Sequence, residues 1–392
     1  MKVSVVIPTF NRCRLVSQAI ESVLAQTFTD YEIIVIDDGS TDSTGETMAA
    51  YGDLILYYWQ ENQGESAARN RGVALAQGEH IAFLDSDDLW EPEKLQAQVV
   101  VLDTYPDVLM VGCQSWVINE QGHRLLPEPQ GQIKDATQLR YGALRETNHF
   151  FGGGSTAIIR KAALGMEPFS VGVHFGEDWH LWLRLATQGR IIVVPRPLAR
   201  LRQHRATQSY TITPDAVDHR LADHLYILGQ HPCPPEYAPG PGLDPAIARV
   251  YLRAALDDLV LGRFQLARER LRLCIQSDDG LTLRGLALES AIDRAVALAQ
   301  PTFVATPEVQ SFFKITLSEL QALAALSVTA ERAAWARMYM ALAAMARGVP
   351  RGNATIRRNL LQAARADPGV CRRRAFWGGW LASLHSSRQG TV

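Results

Sequence analysis

The sequence predicts an α/β fold with a mostly parallel sheet over its first half, followed by an all-α region. Three observations carry this. The first hundred residues alternate between unbroken apolar runs rich in β-branched residues and segments with apolar residues at helical spacing. The runs lack the in–out alternation of a sheet with one wet face, which is the pattern of strands covered by helices on both sides. Six prolines, Pro232, Pro234, Pro235, Pro239, Pro241 and Pro245, then crowd one short stretch. Neither a helix nor a central strand tolerates that density, and beyond it the chain is rich in Ala, Leu and Arg.

The elements follow in order. Val3–Ile7 is the first strand, and Leu15, Ala19, Ile20, Val23 and Leu24 mark a helix. Tyr31–Ile36 is the second strand. A helix starts from Ser40, with Ser43 and Glu46 at capping-box spacing. Leu54–Trp59 reads as a strand, Ser66–Ala76 as a helix and His80–Leu84 as a strand. Further strands are predicted at Val108–Ile118, Ser155–Ile159 and Ile191–Val194, and a helix from Glu177 to about Thr187. The glycines at 152–154 mark a flexible or close-approach point.

Three domains result: α/β over 1–213, a connecting helix and proline-rich linker over 214–245, and α-helical over 246–392. Within the last, Leu259–Ala267 leading to Leu271 and Cys274, and Ala343–Gly348 leading to Leu360, Leu361 and Ala364, each read as helix, glycine, helix. This is loosely similar to tetratricopeptide hairpins, beside a generic helical bundle.

Composition narrows the class. With 392 residues, 47% hydrophobic and 20% charged, the chain is of globular type. A net charge of −2 gives no global case for nucleic-acid binding. The charge is uneven: Glu331–Val392 holds 11 Arg and two acids, hence +9, which leaves −11 on the rest. Solvated helix faces with packed Arg stems account for such a segment, and so does docking on an anionic membrane surface or an acidic protein partner. Five cysteines, Cys13, Cys113, Cys233, Cys274 and Cys371, show no CxxC spacing, which fits a reducing compartment. The chain begins directly with a strand-like run and has no apolar stretch near the ~20 residues of a membrane span. The expected location is cytoplasmic, with peripheral contact at the inner face of the cell membrane.

The chemistry gathers at strand ends. Pro8-Thr-Phe-Asn11, Asp37-Asp-Gly-Ser40 and Asp85-Ser-Asp-Asp88 each follow a predicted strand. Parallel strands share one carboxyl edge, where ligands bind. Carboxylates gathered there repel one another, and a divalent cation is the simplest offset. Asp85 and Asp87, at i and i+2 in a turn, suit Mg²⁺ or Mn²⁺, which take a few carboxylates together with diphosphate oxygens. Asp37 and Asp38 read either as turn formers or as a contact to a base or ribose, with Phe10 beside them. Arg69 reads as a surface ion pair or as a partner of base or phosphate.

Val3-Ser-Val-Val-Ile-Pro-Thr-Phe-Asn11, Ile33-Ile-Val-Ile-Asp-Asp-Gly-Ser-Thr-Asp42, Asn62-Gln-Gly-Glu-Ser-Ala-Ala-Arg-Asn70, Ile81-Ala-Phe-Leu-Asp-Ser-Asp-Asp88 and Glu177-Asp-Trp-His-Leu-Trp-Leu-Arg-Leu185 occur in that order. Over roughly residues 1–210 this resembles the family 2 glycosyltransferases, inverting enzymes of GT-A fold. The resemblance implies sugar transfer from a nucleotide-diphosphate sugar, a UDP-sugar foremost, to the hydroxyl of a glycan or lipid-linked acceptor in cell-surface glycan synthesis. It assigns Pro8, Thr9, Phe10, Asp38, Gly64, Arg69, Asp85 and Ser86 to the donor nucleotide, and Asp87 with Asp85 to the metal. Asp178 becomes the general base. His204, in Leu201-Arg-Gln-His, becomes a helper at metal or diphosphate, against the plain alternative of a loop histidine. Glu177, Trp179, Gly154 and Ser155 fall on the acceptor side.

Two other classes compete. A nucleotidyltransferase would carry a Gly/Arg/Lys-rich loop after the first strand, where this chain has Pro8–Arg12. A non-catalytic nucleotide-sugar-binding or scaffold protein would not need Asp85, Asp87 and Asp178 together.

Overall fold

The computed structural model describes residues 1–125, 138–139, 141–146, 153–203, 212–233, 244–277 and 352–367, with single positions at 310, 314, 336 and 339. The chain groups into two units, Met1–Thr211 with Ala222–Tyr237, and Ile212–Leu221 with Ala238–Val392.

The first unit is built on one sheet. Its strands are β1 (Val3–Thr9), β2 (Tyr31–Asp37), β3 (Leu56–Trp59), β4 (His80–Phe83), β5 (Leu89–Trp90), β6 (Val108–Ile118), β7 (Gln138–Leu139), β8 (Ile158–Arg160) and β9 (Arg190–Arg202). Their order is β3-β2-β1-β4-β8-β6-β9-β5, with β7 also on β9. β1 to β4 are mutually parallel, as their unbroken apolar runs predict. Every residue of β1 is buried. β8 runs antiparallel between β4 and β6, so the sheet is mixed.

Helices α1 (Cys13–Leu24), α2 (Thr44–Ala49), α3 (Glu65–Leu75), α4 (Lys94–Thr104), α5 (Tyr141–Glu146) and α6 (Glu177–Gln188) accompany it. On α1, Val16, Ala19, Ile20 and Val23 form the buried stripe that 3.6-residue spacing dictates. On α3 the buried face is polar instead, with Ser66, Arg69 and Asn70 beside Val73. Gly72 lets this helix lie on β1: a Cβ there would come within 2.3 Å of Val6 Cγ1.

Local departures from the sequence reading have physical causes. Ser43 does not cap α2; the Asp42 carboxylate accepts from both the Thr44 amide and hydroxyl and takes the capping role. Residues 52–54 and 153–156 form 3-10 turns ahead of β3 and β8. β9 runs through to Arg202, because β5, β6 and β7 all pair with it.

Helix α7 (Pro214–Gln230) contributes to both units. In the second unit, α8 (Pro245–Val260) starts with the Asp244 side chain capping the amides of Ala246 and Ile247, and with proline at its first turn. Gly262, at φ +73, turns the chain into α9 (Phe264–Ser277), giving one helix–glycine–helix hairpin as expected. Asp258, fully buried on α8, is held by Arg263 and Arg270, which also pair with Asp218. A further helix spans Gly352–Ala366. The glycine turn expected at 343–348 lies outside the described residues.

Candidate active site

The parallel register sets the stage. Thr9 lies beside Asp37, and β4 ends at Phe83 alongside Val6, so β1, β2 and β4 deliver their carboxyl ends to one edge. Just past β1, Asn11 adopts φ +52, a left-handed conformation that asparagine accepts better than most residues. Its amide donates to Ser40 Oγ at 2.8 Å, and its Oδ1 accepts from the Thr41 amide at 2.8 Å. The β1 and β2 loops are thereby locked together.

Asp37 accepts from the Tyr57 hydroxyl and the Ser40 amide. Asp38 is buried, with Oδ1 accepting from Gln60 Nε2 at 2.7 Å and the Gln63 amide at 3.0 Å, and Oδ2 accepting from the Gly64 amide at 2.8 Å. Its observed work is to fix the 60–64 loop, at whose end Gly64, φ +89, opens α3. Pro8 is buried within β1. Thr9 Oγ1 is buried and has no hydrogen-bond partner among the described residues, while Phe10 is 46% exposed. An orphaned hydroxyl next to an exposed ring is what a planar polar ligand would complete.

The Asp85–Asp88 turn is braced from below. Ser155 Oγ accepts from the Asp85 amide at 3.0 Å and donates to Asp88 Oδ2 at 2.7 Å. The Arg202 amide donates to Asp88 Oδ1, and the Arg202 guanidinium donates to the Asp87 carbonyl. Burial, then the charges of Asp87 and Asp85, push the Asp88 carboxyl well above its ordinary range. Ser86 is buried. Asp87 itself pairs with Arg12, Nη1 to Oδ2 at 3.0 Å.

Arg69 is the hub. Its side chain is 3% exposed and lies over the Phe169 ring. It donates to Asp85 at 2.8 Å, to Glu177 at 2.9 Å, and to Glu65 one helical turn away. One guanidinium thus joins the end of β4 to the start of α6, and its Nε is buried without a partner among the described residues. Burial, then the adjacent Asp178 charge, pushes Glu177 up to about 7. Burial likewise raises Asp178. Asp178 accepts from the Trp179 amide, and a Cβ on Gly153 would stand 2.8 Å from its other oxygen. Glycine is required there on both counts, since φ is +54.

The structure brings Asp85, Arg69, Glu177 and Asp178 together, with Asp87 in the same turn. Trp179, Gly154 and Ser155 are buried beside them. Trp179 is buried, with its indole N–H on the Leu144 carbonyl; Ser155 is the turn's brace; Gly154 packs on Phe83. Their apolar or small character suits packing as readily as sugar contact. His204 lies outside the described residues. Arg12, Asn11 and Glu65 are site residues that sequence reasoning passed over. The i, i+4 spacing of Glu65 and Arg69 is a signal for one of them.

The fit to a divalent cation rests on charge. Glu65, Asp85, Asp87, Asp88, Glu177 and Asp178 face two paired guanidinium groups, Arg12 and Arg69. The upward push on Asp88, Glu177 and Asp178 records the cost of burying acids close to one another. Among the described residues no cluster of three or more His, Cys, Asp or Glu forms a ready cage. Mg²⁺ and Mn²⁺ do not need one, since one or two carboxylates plus diphosphate oxygens suffice. Asp85 and Asp87 fit that requirement.

With this geometry in view, comparison with known proteins is direct. Residues 4–165 match the model of "Glycosyl transferase family 2". Over these residues the chain is similar to that family. An uncharacterized glycosyltransferase of Nostoc is 48% identical over 108 residues, 26% of this chain and 34% of its own. One from Rickettsia felis is 30% identical over 223 residues, 53% of this chain and 34% of its own. The Escherichia coli UDP-Glc:alpha-D-GlcNAc-diphosphoundecaprenol beta-1,3-glucosyltransferase WfgD is 29% identical over 194 residues, 49% of this chain and 72% of its own. The chain spans about a third of the length of the first two of these relatives.

Proposed function

We propose that this chain is an inverting glycosyltransferase that moves a sugar from a nucleotide-diphosphate sugar to an acceptor hydroxyl in cell-surface glycan synthesis. The observation that carries the reading is the meeting of Asp85 with Glu177–Asp178 across Arg69. It gives a donor-side carboxylate and a base in one site.

The residues take these parts. Phe10 stacks on the base and Thr9 Oγ1 completes its hydrogen bonding there. Asp38 shapes the adjoining wall through Gly64. Asp85 and Asp87 would hold Mn²⁺ or Mg²⁺, which would supply positive charge to offset that of the departing diphosphate. Asp178 accepts the acceptor's proton as its oxygen attacks the anomeric carbon on the face opposite the diphosphate. One base suffices for a single inverting displacement, because the leaving group needs no protonation. Partial burial keeps Asp178 more basic than a surface aspartate, which favours proton transfer. Glu177 stays on Arg69 and holds the start of α6.

The E. coli relative's name prints a UDP-linked donor and a diphosphoundecaprenol-linked acceptor. It supports a UDP-sugar donor and a lipid-linked acceptor here. Among the described residues no helix is long and apolar enough to cross a membrane. A cytoplasmic protein meeting such an acceptor at the inner membrane face, through its basic C-terminal region, is the arrangement we favour.

The test is incubation with UDP-, GDP- and dTDP-sugars and Mn²⁺, with release of nucleotide and glycosylated acceptor as readouts. Turnover should stop with EDTA, and Asp178→Asn should lower kcat by roughly 10²–10⁴-fold, the usual worth of a general base. Full transfer by Asp178→Asn would remove the base assignment, and turnover unaffected by EDTA would remove the metal.

A further inference from the structure

Among the described residues, Arg12 and Arg69 pair with carboxylates of the acidic edge, while the Arg202 guanidinium donates to backbone carbonyls behind it; the first two differ in kind. Arg69 is sealed in, with three carboxylate partners. Arg12 has a side chain 33% exposed, and among the described residues its guanidinium has one ion-pair partner, Asp87. Its backbone is not free to wander, because Asn11 just before it is pinned by Ser40 and Thr41. The side chain reaches across the strand edge from the N-cap of α1 to the Asp85–Asp88 turn.

Asp87 Oδ2 sits 3.0 Å from Arg12 Nη1, with the Asp87 side chain only 13% exposed. A cation bound at this carboxylate would lie close to the Arg12 charge, and the repulsion would weaken its binding while Arg12 keeps that position. Arg12 and the cation thus compete for Asp87. The cation arrives with a diphosphate, and a displaced guanidinium at the same edge has its best new partner in the diphosphate oxygens, which it can meet with paired N–H donors.

We propose that Arg12 is an exchangeable counter-ion: it holds Asp87 while the cation is absent and passes to the donor diphosphate when the metal–nucleotide complex binds. This deepens the reading of Asp87 as a metal ligand and rests on it. Arg12 opposes binding of the bare cation and favours binding of the nucleotide, so its removal moves the two affinities in opposite directions. A residue that merely supports the fold would move both the same way.

The experiment uses the full chain. Free Mn²⁺ is counted by electron paramagnetic resonance during titration with Mn²⁺ alone, and UDP, with GDP as a second nucleotide, is titrated calorimetrically at saturating Mn²⁺. Arg12→Gln should bind Mn²⁺ alone several-fold more tightly and the nucleotide roughly 10-fold more weakly, the scale of one charge-assisted hydrogen-bonded contact. Arg12→Lys, which keeps the charge but not the fork, should restore wild-type Mn²⁺ affinity and part of the nucleotide affinity. Both variants should keep the wild-type melting temperature within about 1–2 °C, as expected for a partly exposed ion pair. Asp87→Asn serves as the control. Unchanged Mn²⁺ and nucleotide affinities in Arg12→Gln, with Mn²⁺ binding lost in Asp87→Asn, would overturn the role of Arg12 and leave the metal site standing. No Mn²⁺ binding by the wild type, with or without nucleotide, would overturn the metal reading and this one with it.

Discussion

Glu177 and Asp178 are adjacent acids at the start of one helix, and they titrate as a pair. Burial pushes both upward, and Arg69 pulls them back. A base must be ionised to act, so kcat/KM should rise with pH along a limb lying above the ordinary carboxyl range. Glu177→Gln deletes one negative charge and leaves more of the Arg69 field to Asp178. The limb should then move to lower pH, read from a pH–rate profile; a shift to higher pH would contradict the pairing. Stability carries the opposite sign. A carboxyl whose folded value is raised contributes stability below its unfolded value near 4.5, and that contribution fades as pH rises through about 7. The site is thus set in the ionised form it needs at some expense to the fold.

At the scale of elements, the acidic turn depends on a 3-10 turn 70 residues further on. Ser155 links the Asp85 amide to the Asp88 carboxyl, so Ser155→Ala should take away the partner of that amide and of Asp88 Oδ2, leaving Oδ1 on the Arg202 amide. The expected loss is about 1–3 kcal/mol, measured by denaturant unfolding. This dependence also marks what a sequence reveals. β1, β2 and β4 were legible because each is an unbroken apolar run, and Asp85, Asp87 and Asp178 because each stands in an ordered motif. β5, β7 and β8 span only two or three residues, and their pairing is decided by distant partners. The partners of Arg69 were equally hidden, since Glu177 lies 108 residues away and no local spacing connects them. The burial of Trp179 was hidden too, because helical spacing does not say which face of α6 meets the core.

For the whole molecule, the uneven charge is the feature with reach. A +9 segment at 331–392 against −11 elsewhere gives the chain a charge separation along its length. Docking of that segment on an anionic bilayer would bring the chain to lipid-linked acceptors. Co-sedimentation with vesicles containing anionic lipid should therefore capture the full chain at low salt and release it as the Debye length shrinks below ~10 Å. No capture at low salt would leave the basic segment to a protein partner or to solvent.

The buried carboxylate of Asp38 has a consequence in the language of backbone exchange. The Gln63 and Gly64 amides belong to a loop, yet both donate to one sealed oxygen pair. Hydrogen bonding to that carboxylate should slow their exchange with solvent relative to unpaired loop amides. A donor arriving at this edge finds its wall already in shape, and little of its binding energy goes to ordering the protein.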